Sequence, residues 1–565
     1  MLLLWVCCPA LTLAADYLFA DGHSDYAIVV AADASASERT AASELQTYLH
    51  EVGGVRLPLM GKAAAGGKHI FVGWQSALGI PRPDAADDGY TYRTIGSDLY
   101  IYGGRERGSM YGVYAFLERE LGVRWLTSSC THVERKRHYV LPRLSHTECP
   151  AFGHRLDFYY DALRHHDWCA HNLLNAQYSY AEGKYGPFRA YWGIHTFHTL
   201  VPPAEFFGQH PEYYSVKDGR RSDKAQLCLS NKGMRRVLTA RLKEVIRSNP
   251  GYWCYDVSQN DNQYACECRA CQQLARRYGG QSGAMLWFVN QVAKEVGKDF
   301  PGVLIGTFAY RYTRQAPTSS IRPADNVVVR LCNIECCFAH PLTGCEQNRD
   351  FLRDVDAWKK LTDKIYIWDY VTGFSNYLLP FPNIPVMAAN LRYFHQSHVI
   401  GVMEEGAHDA PWNEFSELKQ WVIAKLLWNP YQDADSLARL FISAYYGASA
   451  PMVQQYYDLC HSGVKSDVHF DIYLSWKNKL YDDAFVGSAG RLLDKALQRA
   501  SDSETQRRVR RLQAQISYLK VRRNPVLSRT DGTFTQLKGI LQTDSTIVKE
   551  FGYTLDKLAK DLSYY

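Results

Sequence analysis

From about residue 150 to 414 the chain repeats one texture: a short apolar run, a polar loop, then a helical stretch. The runs with strand character are FGHRLDFYY, NLLNAQYSY, GYWCYDVSQ, VLIGTFAY, NVVVRLCNI, KIYIWDYV and VIGVMEEG. Between several of them lie stretches with helical periodicity, such as MRRVLTARLKEVIRS and GAMLWFVNQVAKEVGKDF. Strands that alternate with helices over such a length pair in parallel through crossovers, which predicts a (β/α)8 barrel over residues 149–414. Chemistry in that fold gathers at the C-terminal ends of the strands. Asp261, Glu335, Asp369, Glu404 and Glu405 all fall there, among aromatic residues.

The flanks read differently, so the expected class is α/β with three parts. Residues 16–148 form a small α/β domain: strands YAIVVAAD and HIFVGW, a helix within SASERTAASELQTYLHEVGG, a hairpin YTYRTIGSDLYIYGG, a second helix GSMYGVYAFLERELGV, and RWLT as closing strand. Residues 415–565 are helical, with charged outer faces along FSELKQWVIAKLLWNP and the segments after it. No chemistry is readable in that last part.

Composition narrows the partners. The 39 Tyr, 13 Trp and 23 Phe suit sugar binding, because pyranose C–H faces stack on flat rings; a large aromatic core would use them as well. A net charge of +6 without basic runs argues against a nucleic-acid surface. The opening MLLLWVCCPALTLAAD resembles the apolar region of a secretory signal, residues 1–15, lacking the usual basic residues ahead of it. Leu4-Trp5-Val6 before Cys7 and Cys8 fits a lipoprotein signal poorly. No later run is long enough to span a membrane, so the expectation is an exported protein, secreted, periplasmic or on the cell surface. Some of the 15 cysteines would then pair.

Two stretches carry resemblances. GGRERGSMYGVYAFLERELGVRWLT resembles the end of the small domain that precedes the barrel in family 67 α-glucuronidases and in β-hexosaminidase-like enzymes. HTFHTLVPPAEFFGQHPEYYSVKDGRR, QLCLSN, SQNDNQYACECRAC, IWDYVTGFSNYLLPFPN and GVMEEG followed by FSELKQWVIAKLLWNP resemble the bacterial domain of unknown function family 4838. The likeness implies a glycosidase-like barrel. It does not imply a substrate.

Glycoside hydrolysis needs two carboxyl groups, one to protonate the leaving oxygen and one to act as base or nucleophile. Asp261 follows a strand in a polar turn and suits the acid role; the competing reading is a helix-capping aspartate. Asn260 beside it resembles the residue that orients an acetamido group in hexosaminidase-like barrels, although the pair here is Asn-Asp. Glu404 and Glu405 are adjacent on a strand, so they point to opposite faces and one enters the pocket; the resemblance favours Glu404. Asp369, between Trp368 and Tyr370, is the third candidate; burial among rings would raise its pKa, or the carboxylate would hold a sugar hydroxyl. Glu335 could equally be a loop residue. His195 and His198 would bond sugar hydroxyls or, less simply, ligate a metal. Trp192, Trp368, Tyr370 and Trp412 are candidate sugar platforms. Arg220 or Arg221, in a Lys-Asp-Gly-Arg hairpin, could meet a carboxylate.

Cys266, Cys268 and Cys271 lie within CECRAC. A structural zinc there needs a fourth ligand from Cys254, Cys228 or the group Cys332, Cys336, Cys337 and Cys345. Disulfides to that group, or free thiols, fit the spacing too. In each case the cysteines would pin the loop that presents Asp261. The reading is therefore an exported glycoside hydrolase acting on an oligosaccharide or polysaccharide and needing no cofactor for the reaction, or a glycan-binding protein on an inactive barrel.

Overall fold

A computed structural model describes residues 16–562 apart from 180, 182, 551 and 553. The export signal expected at residues 1–15 lies outside the described residues. The chain forms two compact units.

The first unit takes residues up to Arg124, with Thr131–Cys149 and Gly183–Gly186. Its six-stranded sheet runs in the order Ser145–Glu148, Tyr90–Ile95, Asp98–Gly103, Lys68–Val72, Tyr26–Val30, Leu59–Met60. Helix Ala36–Gly53 begins where the Ser35 hydroxyl accepts from the Glu38 amide and the Glu38 carboxylate accepts from the Ser35 amide, so two orphan donors are satisfied at once. It buries Ala41, Ala42, Leu45, Leu49 and Val52. RWLT does not close this sheet. Arg124–Thr127 pairs with Cys130–His132, and Ser145–Glu148 is the strand beside Tyr90–Ile95.

The second unit contains Trp125–Cys130, Pro150–Glu182 and everything from Pro187 onward. Eight strands build an almost closed parallel barrel: β1 (His154–Phe158), β2 (Ala176–Gln177), β3 (Arg189–Trp192), β4 (Cys254–Asp256), β5 (Leu304–Ala309), β6 (Val327–Cys332), β7 (Ile365–Tyr370) and β8 (Gly401–Glu405). Hydrogen bonding runs in the order β1, β8, β7, β6, β5, β4, β3, β2, parallel throughout. Seven of the eight strands are legible as apolar runs. RAYW, which is β3, is too short and too polar at Arg189 to stand out.

Side chains of alternate residues fill the barrel. Arg330 lies at its centre, 1% exposed, with its guanidinium 3.3 Å from the Tyr191 ring centroid and within 5.4 Å of the Tyr366, Trp368 and Phe308 rings. Desolvation there is offset by ring faces, which attract the cation. Tyr191 reaches Arg330 only because residue 306 is glycine. A β-carbon on Gly306 would stand 1.3 Å from the Tyr191 hydroxyl oxygen. Gly306→Ala should therefore lower stability by about 1–3 kcal/mol, as overpacked cores do. Thermal unfolding of the variant checks this, and an unchanged midpoint would mean that Tyr191 swings clear freely.

Helix Ser416–Trp428 differs from the expectation of a charged outer face. It follows β8 and buries every residue but Glu417, including Lys419, Gln420 and Lys425. The Lys419 ammonium donates to the Val371 and Phe381 carbonyls and pairs with Glu414, both partners being 2% exposed. Further helices follow, among them Ala434–Tyr446, Ala450–Ser462, Asp483–Arg499 and Ser503–Arg523. No helix among the described residues is long and apolar enough to cross a membrane.

Candidate active site

A cavity of about 700 Å³ opens at the C-terminal ends of the barrel strands, within the size range of small-ligand sites. Phe158, Phe308, Tyr310, Trp368 and Tyr370 give it an aromatic wall. Asp261, Glu405 and Glu550 supply its carboxyl groups, and Arg164, Arg311, His195 and His408 its nitrogens.

Glu405 ends β8 at the cavity, and its Oε2 accepts from the Trp368 indole at 2.7 Å. Burial pushes its pKa up to about 8 against that bond, helped by the nearby charges of Glu550, Asp261 and Asp409. Glu550 is raised to about 7, by burial first and then by Asp409 and Asp261. Asp261 is 59% exposed; its Oδ1 accepts from the Tyr310 hydroxyl at 3.1 Å and lies 3.8 Å from Arg311 Nε. The Tyr310 hydroxyl also accepts from Arg311 at 2.7 Å, so one tyrosine links acid and base. His195 has φ 55°, a left-handed backbone that sets its ring at the cavity wall. Burial lowers its pKa, and its Nδ1 donates to the Gln259 carbonyl at 2.6 Å. The neutral ring thus keeps Nε2 as an acceptor.

Strand parity separates the expected acids. Asp157, Glu404 and Asp369 stand side by side on β1, β8 and β7, in register, while the next row is Phe158, Glu405 and Tyr370. The second row lines the cavity and the first does not. Glu404 and Asp369, expected at the pocket, lie on the opposite, helix-facing side of the strands, since successive side chains alternate. Asn333 Nδ2 donates to Asp369 Oδ1 at 2.6 Å, and neither Glu404 oxygen has a hydrogen-bond partner among the described residues. Burial raises the Glu404 pKa well above its ordinary value, with Asp369 and Asp157 adding to it; Asp369 itself rises to about 6. The folded chain then holds protons that the unfolded chain releases, so stability falls as pH climbs from the ordinary carboxylate range through these raised values. Glu404→Gln should flatten that fall, seen as a smaller drop in thermal midpoint between about pH 5 and pH 8. A slope equal to that of the parent would show that Glu404 does not titrate there.

The remaining expected residues divide the same way. Asp261, Glu405, His195, Trp368 and Tyr370 line the cavity; Trp192, Trp412, Asn260 and His198 do not. Trp192 alternates with Tyr191 and so turns away from the barrel interior. Trp412 is 1% exposed, its indole donating to the Asp544 carbonyl. Asn260 braces the loop instead, accepting from the His198 amide and donating to the Ala225 carbonyl. Glu335 pairs with Arg314 at 2.8 Å, and Arg221 donates to the Tyr214 carbonyl. Among the contributors named above, Tyr310, Arg311, His408 and Glu550 were not expected. Tyr310 and Arg311 follow β5 and His408 follows β8, positions that strand ends favour. Glu550 comes from the segment read as purely helical, where a single glutamate in VKEFGY gives no signal.

Every described cysteine is a free thiol. Cys228, Cys266, Cys268 and Cys271 each place a sulfur within 4.8 Å of the others, so Cys228 completes the set of four begun by CECRAC. Cys228 Sγ stands 3.7 Å from both Cys268 Sγ and Cys271 Sγ. In the cavity, Glu405, His408 and Glu550 offer a three-ligand group of the same reach. His195 and His198 form no such group among the described residues.

The family model "Domain of unknown function (DUF4838)" matches residues 125–458. The chain belongs to this family. Comparison with curated proteins finds no match. Among solved structures, a family GH115 4-O-methyl-α-glucuronidase with specificity for decorated arabinogalactans aligns with TM-score 0.61 at 11% identity, over 95% of this chain and 79% of its own. A GH138 enzyme targeting pectin rhamnogalacturonan II aligns at TM-score 0.44 and 11% identity, over 95% and 98% of the two chains. A chitobiase from Flavobacterium johnsoniae aligns at TM-score 0.47 and 12% identity, over 95% and 96%. The first likeness establishes a glycosidase-like fold for this DUF4838 chain. The cavity of this DUF4838 chain also takes Ile472, Tyr473 and Glu550 from beyond the matched residues.

Proposed function

We propose that the chain is a glycoside hydrolase that cleaves an O-glycosidic bond, with Glu405 as general acid and Asp261 as its carboxylate partner. The observation that carries this is Glu405: a carboxyl at an aromatic cavity with a pKa near 8 keeps its proton at neutral pH, as a leaving-group acid must. Asp261, held by Tyr310 beside Arg311, supplies the negative charge that an oxocarbenium-like transition state needs. Trp368 and Tyr370 offer faces for a pyranose ring, and the neutral His195 accepts a sugar hydroxyl.

The test is a screen of aryl glycosides and glycans, uronides and N-acetylhexosaminides included, with the parent chain beside Glu405→Gln and Asp261→Asn. Hydrolysis lost in both folded variants supports the pair. Hydrolysis unaffected by either removes it, and sugar binding without hydrolysis favours a binding protein. The Glu405, His408 and Glu550 group supports a second reading, a metal-assisted hydrolase; activity abolished by EDTA and restored by a divalent cation would favour it.

The four-cysteine group is proposed as a structural zinc site. Its sulfur separations of 3.7 Å match the edge of a tetrahedron with Zn–S of about 2.3 Å.

A further inference from the structure

We infer that the chain carries a second structural zinc site, made by Cys337, His340, Cys345 and His469. The four residues each present one ligand atom, all within 4.8 Å of one another. Cys337 Sγ lies 3.4 Å from His469 Nδ1 and 3.7 Å from His340 Nδ1, and Cys345 Sγ lies 3.7 Å from His469 Nδ1. A tetrahedral ion with Zn–S of about 2.3 Å and Zn–N of about 2.0 Å has edges of roughly 3.3–3.8 Å. The spacing is therefore that of ligands around one ion. Both thiols are free, so both sulfurs are available as ligands.

The surroundings agree. Cys337 and Cys345 are buried, 2% and 9% exposed, which excludes competing water. His340 Nε2 donates to the Lys465 carbonyl at 3.2 Å. That bond places the ring proton on Nε2 and turns the lone pair of Nδ1 toward the thiols, the usual outer-shell support of a ligating histidine. Binding would displace one proton from each thiol, leaving two thiolates and two neutral imidazoles around Zn²⁺, with no net charge on the site.

The site has a purpose in the fold. Three ligands follow β6, and the fourth comes from a loop after helix Ala450–Ser462. Beside it the Phe338 amide donates to the Phe470 carbonyl at 2.8 Å. Ile472 and Tyr473, three and four residues past His469, line the catalytic cavity. Without the ion, that rim is held by packing and by hydrogen bonds such as those from the Phe338 amide to the Phe470 carbonyl and from Asn376 Nδ2 to the Leu474 carbonyl. With it, the rim is tethered to the barrel.

The test measures metal in the full-length chain, purified without chelator and reconstituted with Zn²⁺ under reducing conditions. Zinc-edge X-ray absorption should show a first shell of sulfur at about 2.3 Å mixed with histidine nitrogen at about 2.0 Å. His469→Ala and Cys345→Ser should each lose one equivalent of zinc by mass spectrometry, while Cys268→Ser should lose an equivalent and leave the nitrogen signal intact. A shell of sulfur alone would overturn the inference, as would a folded His469→Ala variant that keeps the parent's zinc. So would a Cys337–Cys345 disulfide found by peptide mapping of the parent. The absorption measurement needs no variant, so a misfolded mutant leaves the inference open to refutation.

Discussion

Glu405→Gln is expected to lower kcat/KM at least a hundredfold, and up to about ten-thousandfold, which is what a positioned proton donor contributes. Gln keeps the shape and can still accept from Trp368, but it has no proton to give. The loss should shrink on aryl glycosides whose leaving group departs unprotonated, because such substrates do not need the acid. In the parent chain, kcat/KM should fall as pH rises through about 8, where Glu405 in the free protein gives up its proton. The neighbouring Glu404→Gln, on the other side of the strand, should leave kcat/KM within a few-fold. Equal losses in the two variants would sink the assignment of Glu405 as donor.

The second large effect concerns stability. Burial raises the Glu414 pKa to about 7 and lowers that of Lys419, so each charge is costly and each is kept by the other. Lys419→Met strands a buried carboxylate at alkaline pH and strips a donor from the Val371 and Phe381 carbonyls. Glu414→Leu strands a buried ammonium. Either change should cost about 3–5 kcal/mol, the usual result of breaking a buried pair on one side. The double variant should recover much of the loss, since an apolar pair of similar volume replaces both charges. Urea unfolding of the parent, both singles and the double gives the coupling. A double variant as unstable as the sum of the singles would show that the two charges do not support one another.

Much of the fold was legible because parallel barrel strands are continuous apolar runs that stand out against helical periodicity. β3 was missed because four residues starting with an arginine carry too little pattern. The helix Ser416–Trp428 misled because its lysines and glutamine read as a solvated face, when Lys419 is held inside by Glu414 and two carbonyls. For the site, sequence pointed to the right strand ends: Asp261, Trp368, Tyr370 and Glu405 all reach the cavity. The resemblance favoured Glu404, which the structure keeps out of the cavity, and strand character alone could not choose between it and Glu405. Adjacent residues on a strand face opposite ways, and which way depends on register, fixed only when β8 pairs with β1 and β7. Glu550 and His469 were invisible for another reason. Each stands beside residues distant in the chain, and no local pattern marks such a residue.

The family match stops at residue 458, yet Ile472, Tyr473 and Glu550 close the cavity from beyond it. Agreement over the matched region therefore leaves part of the cavity wall undetermined. If the chain is the hydrolase proposed above, its specificity need not track the ancestry of its barrel. Under that proposal, a chimera that joins this barrel to another member's tail would keep Glu405 and Asp261 and exchange part of the wall that meets the glycan.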